Sequence, residues 1–290
     1  MSFGYDDKKD AVPVARDVRT KQLIYVYPEN YETQEIDGND VKIKKILESI
    51  KDKETLNEFK ALLKNVETKK TGEKSINHKG ELELLPNLSL DGESDRLCIY
   101  VFGPNGSGKS YLASSITNQY KKLFPKNEVY LFSLKDEDKK LDDLGVERID
   151  IEGLINDGAD IDYKDFADSL CIFDDVDGCE KRISNRIQKL IYSLLAHGRS
   201  SNCSILTTAH IGADNHNTKS QLNESHMIVL FPQGNRKQNE YIMKTYLGIG
   251  NKSIKKLLKI PCRWIAFSKK LPMFYITSNG KGEMLSELDD

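Results

Sequence analysis

The hydrophobic positions of this chain fall into short, unbroken apolar runs separated by segments with helical spacing. The runs predict strands at residues 97–102, 128–133, 169–177, 203–210 and 225–231, with a shorter one around Ile149. Between them, Leu112, Ile116 and Tyr120 lie four residues apart, and residues 182–195 carry one apolar face. Strands alternating with helices predict a mainly parallel sheet wrapped by helices.

The two ends of the chain show different patterns. Residues 23–31 resemble a strand, the apolar residues of segment 41–63 recur near helical spacing, and residues 69–72 are typical of a linker. Towards the other end, apolar runs at 264–268 and 273–278 flank the sequence KKLP and predict a β-hairpin. We therefore divide the chain into an N-terminal extension, residues 1–95, and a main domain, residues 96–290.

The first strand of the main domain leads directly into GPNGSGKS, a complete G-x-x-x-x-G-K-[ST] phosphate-binding loop. Glycines let the backbone turn its N–H groups towards phosphate oxygens, and the next helix points the positive end of its dipole at the anion. Lys109 would neutralise the β- and γ-phosphates, and the Ser110 hydroxyl would ligate Mg²⁺. The sequence thus predicts a site for ATP and Mg²⁺ formed by Gly103, Pro104, Asn105, Gly106, Ser107, Gly108, Lys109, Ser110 and Tyr111.

Two adjacent carboxylates, Asp174 and Asp175, end the third apolar run, which is the pattern of a Walker B strand. Mg²⁺ keeps several waters and needs a carboxylate within reach, so Asp174 is the candidate metal residue beside Ser110. Asp175 is the candidate base that activates water, although a glutamate is more usual there and the shorter side chain leaves the polarisation of the water open. His210, at the polar end of the fourth run, is the candidate γ-phosphate sensor, with a purely structural histidine as the alternative.

Charge is distributed unevenly along the chain, although its net value is only −2. Residues 134–177 contain 16 acidic and five basic residues, whereas residues 178–272 contain 16 basic and four acidic ones. The basic segment favours contact with a nucleic-acid backbone, and an ordinary solvated surface is the alternative.

Length and composition limit the classes of protein that fit. With 290 residues, 38% of them hydrophobic and 30% charged, the chain can hold one P-loop domain and an appendage. The five cysteines lack metal-ligand spacing and are expected to be reduced core residues, with a redox pair of Cys171 and Cys179 as the alternative. No apolar stretch approaches the ~18 residues that span a bilayer, and the first ten residues lack the apolar region of a signal peptide. We therefore expect an intracellular protein without a membrane span that is not secreted.

The order of these motifs resembles the FtsK/HerA superfamily of DNA-pumping ATPases, and most closely the genome-packaging ATPases of nucleocytoplasmic large DNA viruses. The resemblance rests on the P-loop, the strand ending in Asp174 and Asp175, and the segments HGRSSNCSILTTAH and QLNESHMIVLFP, and it covers about residues 96–250. It implies an α/β P-loop NTPase of the RecA-like (ASCE) type, with a mainly parallel sheet flanked by helices, an N-terminal extension and a C-terminal β-hairpin. The superfamily usually has glutamine where this chain has His210, and glutamate where it has Asp175.

The resemblance also implies a function. The chain would form a homo-oligomeric ring, hydrolyse ATP between subunits and drive double-stranded viral DNA into a capsid, with capsid or portal proteins as further partners. Its location would be the host cytoplasm, a viral factory or the virion. Arg199, in the family's Gly-Arg segment, would act as an arginine finger on a neighbouring subunit's nucleotide, with Arg236 in reserve; a surface ion pair or a DNA phosphate contact is the alternative for both.

Two other classes of protein share the phosphate-binding loop. A nucleoside or nucleotide kinase would transfer phosphate to a small acceptor, and the pair of carboxylates argues against it. A nucleotide-switched binding module would hydrolyse ATP slowly, which the shorter Asp175 would permit.

Overall fold

The structure is a computed structural model that describes residues 2–7, 11–27, 52, 73–85, 96–156, 162–176, 180–213, 218–270 and 273–288. The predicted linker at 69–72, Cys179 and all of the predicted helical segment 41–63 except Asp52 lie outside the described residues.

The described residues before position 96 form short strands. These are β1 (Ser2–Gly4), β2 (Val12–Asp17), β3 (Leu23–Tyr27), β4 (Ser75–Asn77) and β5 (Leu82–Leu84). Four of them make an antiparallel sheet in the order β1-β3-β2-β5, which we call the N-terminal sheet. The strand predicted at residues 23–31 is β3 as far as Tyr27, and residues 28–31 lie outside the described residues.

The main domain alternates strands with helices, as the hydrophobic pattern predicted. Its elements are β6 (Cys98–Phe102), α1 (Lys109–Leu123), β7 (Glu128–Ser133), α2 (Lys139–Asp142), β8 (Glu147–Ile149), α3 (Ile151–Asn156), β9 (Ser169–Asp174), α4 (Lys181–His197), β10 (Ser204–Ala209), α5 (Lys219–Glu224), β11 (Met227–Leu230), α6 (Arg236–Leu247), α7 (Asn251–Leu257), β12 (Ile265–Ser268), β13 (Phe274–Thr277) and β14 (Lys281–Met284). Of the helices in the described ranges, none combines the length and the apolar character needed to traverse a bilayer.

One sheet carries ten of the described strands in the order β4-β14-β13-β12-β11-β6-β10-β9-β7-β8. The strands from β11 to β8 are parallel to one another, so the predicted parallel sheet is confirmed. The predicted hairpin is β12 with β13, and antiparallel pairing continues from it through β14 to β4. Strand β10 lies between β6 and β9, the insertion that distinguishes the ASCE arrangement.

Helices cover both faces of the large sheet. On one face, Leu112, Ile116 and Tyr120 of α1 are buried in a core shared with the N-terminal sheet. On the other face, α4 packs Ile191 and Leu194 beside β9 and β10, and α6 packs near β11. The N-terminal sheet therefore shares its hydrophobic core with the helix that begins at the phosphate-binding loop.

The cysteines that the structure describes are free thiols in the interior. Cys98, Cys171, Cys203 and Cys262 are all buried. Burial raises the pKa of Cys98 and of Cys203 to about 11, so both remain protonated thiols at neutral pH.

A buried arginine joins the end of α4 to the start of the parallel sheet. Arg96 is 5% exposed, and its Nε donates to the carbonyl of Cys203 at 2.6 Å. Its Nη2 donates to the carbonyls of Leu194 and, at 3.3 Å, Leu195 in the last turn of α4. The carbonyl of Leu194 also accepts the N–H of Gly198, the C-cap of α4. The guanidinium thus adds charged donors to carbonyls in the interior, at the end of a helix where intrahelical donors run out.

We expect Arg96→Met to lower the free energy of unfolding by about 2–4 kcal/mol, because it removes charged donors from several buried carbonyls. Urea denaturation followed by circular dichroism measures the effect. The control is Arg236→Met, which removes an exposed guanidinium paired with Glu240 within one helix and should change stability by no more than about 0.5 kcal/mol. Equal losses in the two variants would contradict the structural role of Arg96.

Candidate functional site

The phosphate-binding loop, residues 103–108, connects the end of β6 to the start of α1. Gly106 has a φ of 73° and Gly108, the N-cap of α1, a φ of 106°, so both occupy backbone conformations that side chains disfavour. Within the part of the chain described, the buried hydroxyl of Ser107 has no hydrogen-bond partner. The loop therefore combines a helix N-terminus with an unsatisfied buried hydroxyl, as an anion site requires.

The loop lysine points towards the carboxyl ends of the neighbouring strands. Lys109 is 4% exposed, and its Nζ lies 3.0 Å from His210 Nδ1 and 3.4 Å from Asp175 Oδ1. It also lies 3.5 Å from the carbonyl of Pro104. The structure thus brings together three of the predicted catalytic residues.

Asp174, at the end of β9, has no solvent exposure. Its Oδ1 accepts a hydrogen bond from the Thr208 hydroxyl at 2.7 Å, and its Oδ2 pairs with Lys135 Nζ at 2.8 Å. A buried carboxylate needs such partners to remain charged. An ammonium group and a hydroxyl therefore satisfy both oxygens of this buried carboxylate.

Asp175 turns out of the strand in a left-handed conformation, with a φ of 52°. Its N–H donates to the Thr208 hydroxyl at 3.1 Å, and its Oδ2 lies 3.1 Å from His210 Nε2 and 3.2 Å from Lys135 Nζ. Burial acts to raise the pKa of Asp175, but Lys109, His210 and Lys135 outweigh it and hold the pKa below its ordinary value.

The histidine is oriented by these two neighbours. Because an ammonium only donates, Nδ1 of His210 accepts from Lys109, and Nε2 is left to donate to Asp175. His210 therefore bridges the loop lysine and the second carboxylate.

Lys135 and Thr208 were not among the site residues predicted from the sequence. Lys135 comes two residues after β7, and Thr208 lies within β10, opposite Asp174 in register. The carboxyl ends of parallel strands meet at one edge of the sheet. A search for polar residues just after each predicted strand could therefore have identified Lys135 from the sequence.

The two candidate arginines lie on different elements. Arg199 is exposed in a 3₁₀ turn before β10, at the opposite end of that strand from His210. Arg236 begins α6, and its Nε pairs with Glu240 at 2.8 Å.

The residues present fit both a nucleoside triphosphate and Mg²⁺. Mg²⁺ is usually held by one or two carboxylates, water and substrate phosphates, and Ser110 with Asp174 would supply the protein oxygens of that set. The ammonium of Lys135 lies against the buried Asp174, so this position already accommodates a positive charge. The unsatisfied Ser107 hydroxyl and the N-terminus of α1 suit phosphate oxygens.

Strand β10 lies between the loop strand β6 and the carboxylate strand β9, and the phosphate-binding loop lies at the edge where these strands end. This arrangement defines a P-loop NTPase fold of the ASCE type. The chain is 38% identical over 188 residues to uncharacterized protein V3 of Sputnik virophage, an alignment covering 64% of this chain and 76% of that protein. The chain belongs to the same family as that virophage protein. No family model matches it.

Solved structures with a similar arrangement are distant in sequence. The genome-packaging NTPase B204 of Sulfolobus turreted icosahedral virus 2, in complex with ATP-γS, is 13% identical, with a TM-score of 0.40 over 61% of this chain and 92% of its own. The conjugation coupling protein TcpA of pCW3 is 12% identical, with a TM-score of 0.44 over 66% of this chain and 61% of its own. The motifs and strand order of this chain, rather than these loose overlaps, carry the resemblance to the FtsK/HerA superfamily.

We expect Lys135→Ala to lower the stability of the nucleotide-free protein by on the order of 1 kcal/mol, since two neighbouring carboxylates lose a part-exposed ammonium. Millimolar MgCl₂ should restore more of the melting temperature in this variant than in the wild type, because a divalent cation can then occupy the place of the ammonium. Thermal unfolding with and without MgCl₂ measures both effects.

The matched control is Lys139→Ala, which removes an exposed ammonium from the same acidic segment. It should respond to MgCl₂ as the wild type does. An equal response from all three proteins would show that Lys135 does not hold the position of a cation.

Proposed function

We propose that this protein is an ATP-hydrolysing motor that moves double-stranded DNA, and that it packages viral DNA as a homo-oligomeric ring. The observation that carries the proposal is the meeting of Lys109, Asp174, Asp175 and His210 at one edge of the sheet, beside the N-terminus of α1. Those groups are the ones that hydrolysis of a phosphoanhydride requires: a cation for the phosphates, a metal carboxylate, a base and a polar sensor.

The chain's own residues have distinct roles in this reaction. Lys109 would exchange its contacts with Asp175 and His210 for the β- and γ-phosphates, which neutralises the developing negative charge. Asp175, ionised at neutral pH, would accept a proton from the attacking water, and Thr208 would keep both carboxylates in place. His210 would contact the γ-phosphate through Nε2. A bound Mg²⁺ at Ser110 and Asp174 would supply the additional positive charge.

Contact with DNA is supported by a basic groove between α6 and α7. Exposed Lys237 and Lys244 on α6 face exposed Lys255 on α7 across a cavity of about 440 Å³. A groove with several ammonium groups and one carboxylate, Glu240, favours the phosphate backbone of DNA without selecting a base sequence.

A ring is supported by the position of Arg199. It is exposed at the edge of the sheet opposite the phosphate-binding loop. In a head-to-tail ring, one subunit's edge with Arg199 would face the next subunit's nucleotide, where a guanidinium can stabilise the transferred phosphoryl group. Capsid or portal proteins would be the docking partners of such a ring, in a viral factory, the host cytoplasm or the virion.

Steady-state ATP hydrolysis should be stimulated by long double-stranded DNA at low salt, and less so at moderate salt, because the contacts are to phosphates. Lys109→Ala should reduce the rate at least about a hundredfold, since it removes a charge aimed at the phosphates. Exchange of Lys237, Lys244 and Lys255 for glutamine should leave the DNA-free rate unchanged and weaken the stimulation.

A rate of hydrolysis that DNA does not change would contradict the DNA motor and favour the nucleotide-switched binding module. Transfer of phosphate to an added nucleoside instead of water would favour the kinase.

Mixing two inactive variants tests the shared site. Arg199→Ala keeps its phosphate-binding loop but lacks the finger, and Lys109→Ala has the reverse defect, so rings containing both should recover hydrolysis that neither variant has alone. Each variant alone should be at least about a hundredfold slower than the wild type, within the range for loss of an arginine finger or a phosphate-binding charge.

Wild-type activity of Arg199→Ala alone, with no recovery in the mixture, would eliminate Arg199 as the finger. The same mixture with Arg236→Ala in place of Arg199→Ala examines the reserve candidate.

A further inference from the structure

A second cavity adjoins the phosphate-binding loop on the side away from the carboxylates. It has a volume of about 240 Å³, and Gly108, the N-cap of α1, forms part of its wall. None of Lys135, Asp174, Asp175 and His210 lines it. The strand order explains the separation, because β9 and β10 flank one side of β6 while β11 and β12 flank the other. A nucleotide whose phosphates lie over the start of α1 would have this space available for its remaining part.

Three parts of the chain form the walls of the cavity. Tyr111 and Leu112 belong to α1, Arg263 and Trp264 precede β12, and Val18 and Leu84 come from the N-terminal sheet. The cavity is slightly smaller than the ~300–1,000 Å³ of sites that enclose drug-sized ligands. That size suits the nucleoside part of a nucleotide whose phosphates are held outside the cavity.

Tyr111 presents an aromatic surface at the mouth of this cavity. The residue is 59% exposed, and the guanidinium of Arg263 lies 5.5 Å from the centre of its ring. Arg263 Nε also lies 3.4 Å from the carbonyl of Ser107 in the phosphate-binding loop. A planar cation and an exposed aromatic ring beside a phosphate site form a stacking surface for a planar, electron-rich base.

The N-terminal sheet contributes a fixed acceptor. Glu83 of β5 accepts hydrogen bonds from the Ser115 hydroxyl of α1 at 2.8 Å and from Arg16 Nη2 at 2.5 Å. Burial acts to raise the pKa of Glu83, but the bonds from Arg16 and Ser115 hold it below its ordinary value. An ionised carboxylate in the wall suits ligand groups that donate, such as ribose hydroxyls or an exocyclic amino group.

We propose that this cavity binds the purine base and ribose of the nucleotide, with Tyr111 and Arg263 stacking on the base and the N-terminal sheet closing the far wall. This inference rests on the proposed function, because it assumes that the loop holds the phosphates. It assigns the N-terminal sheet a part in nucleotide binding, in addition to any contact between subunits.

Two probes separate the nucleoside from the phosphates: a fluorescent ATP analogue, displaced by ATP, and inorganic tripolyphosphate, which has no base or ribose. In the wild type, ATP should bind more tightly than tripolyphosphate. Tyr111→Ala should weaken ATP binding about tenfold, within the range measured for loss of a stacked base, and leave the affinity for tripolyphosphate unchanged. Tyr192→Ala is the matched control, since Tyr192 is equally exposed on α4 and far along the chain from this cavity.

A second variant tests whether the wall that the N-terminal sheet contributes to the cavity contacts the nucleotide, and it leaves Tyr111 and Arg263 in place. Val18 is 40% exposed, so Val18→Trp can project into the cavity mouth and should weaken ATP but not tripolyphosphate, whereas Val18→Ala should change neither. Unchanged ATP binding in Tyr111→Ala, or an equal loss for both probes, would overturn the inference. A wild type that binds tripolyphosphate as tightly as ATP would overturn it while leaving the phosphate site intact. Binding of neither probe would overturn the proposed function as well.

Discussion

The arrangement of this protein's site depends on a carboxylate that water does not reach. Asp174 is fully buried at the end of β9, and an ionised carboxylate in that position is stable only with close hydrogen-bond and charge partners. The parallel register of β9 with β10 places Thr208 directly opposite it, and β7 ends on its other side, near Lys135. The partners that stabilise the buried carboxylate are thus brought together where the parallel strands end.

The charges at this edge balance one another in the nucleotide-free protein. Lys109 and Lys135 neutralise Asp174 and Asp175, and His210 bridges Lys109 to Asp175. Under the proposed function, Mg²⁺ and ATP would replace these internal ion pairs with phosphate and metal contacts. These lysines and aspartates would then have charged partners both before and after the nucleotide binds. Asp175 is ionised at neutral pH, because the neighbouring cationic groups outweigh burial and hold its pKa below its ordinary value.

The N-terminal sheet shares a hydrophobic core with the rest of the protein. Its strands share that core with α1, Phe3 packs edge to face on Phe274 of β13, and Gln119 of α1 donates to the carbonyl of Leu84. Because α1 begins at the phosphate-binding loop, this packing fixes the helix whose N-terminus faces the nucleotide. In the proposed motor, the base side of the site and the basic groove of α6 and α7 lie on different elements, so nucleotide and DNA would make separate contacts.

Local sequence was sufficient for the elements that carry their own physical signature. Unbroken apolar runs predicted β6, β7, β9, β10 and β11, the glycine-rich motif predicted a phosphate-binding loop before a helix, and the paired aspartates marked the end of β9. These features depend on residues adjacent in the chain, and so does the family resemblance built on their order.

Only the tertiary structure decided which distant residues share a site. Only its place just after a predicted strand distinguished Lys135 from the other charged residues of its segment, and its contact with Asp174 follows from the adjacency of β7 and β9. Likewise, Tyr111 and Arg263 are 152 positions apart and meet because β12 pairs with β11 beside the loop strand. Sequence spacing determines strands, helices and tight loops because those form between near neighbours, whereas ion pairs and cavities depend on how the strands are ordered across the sheet.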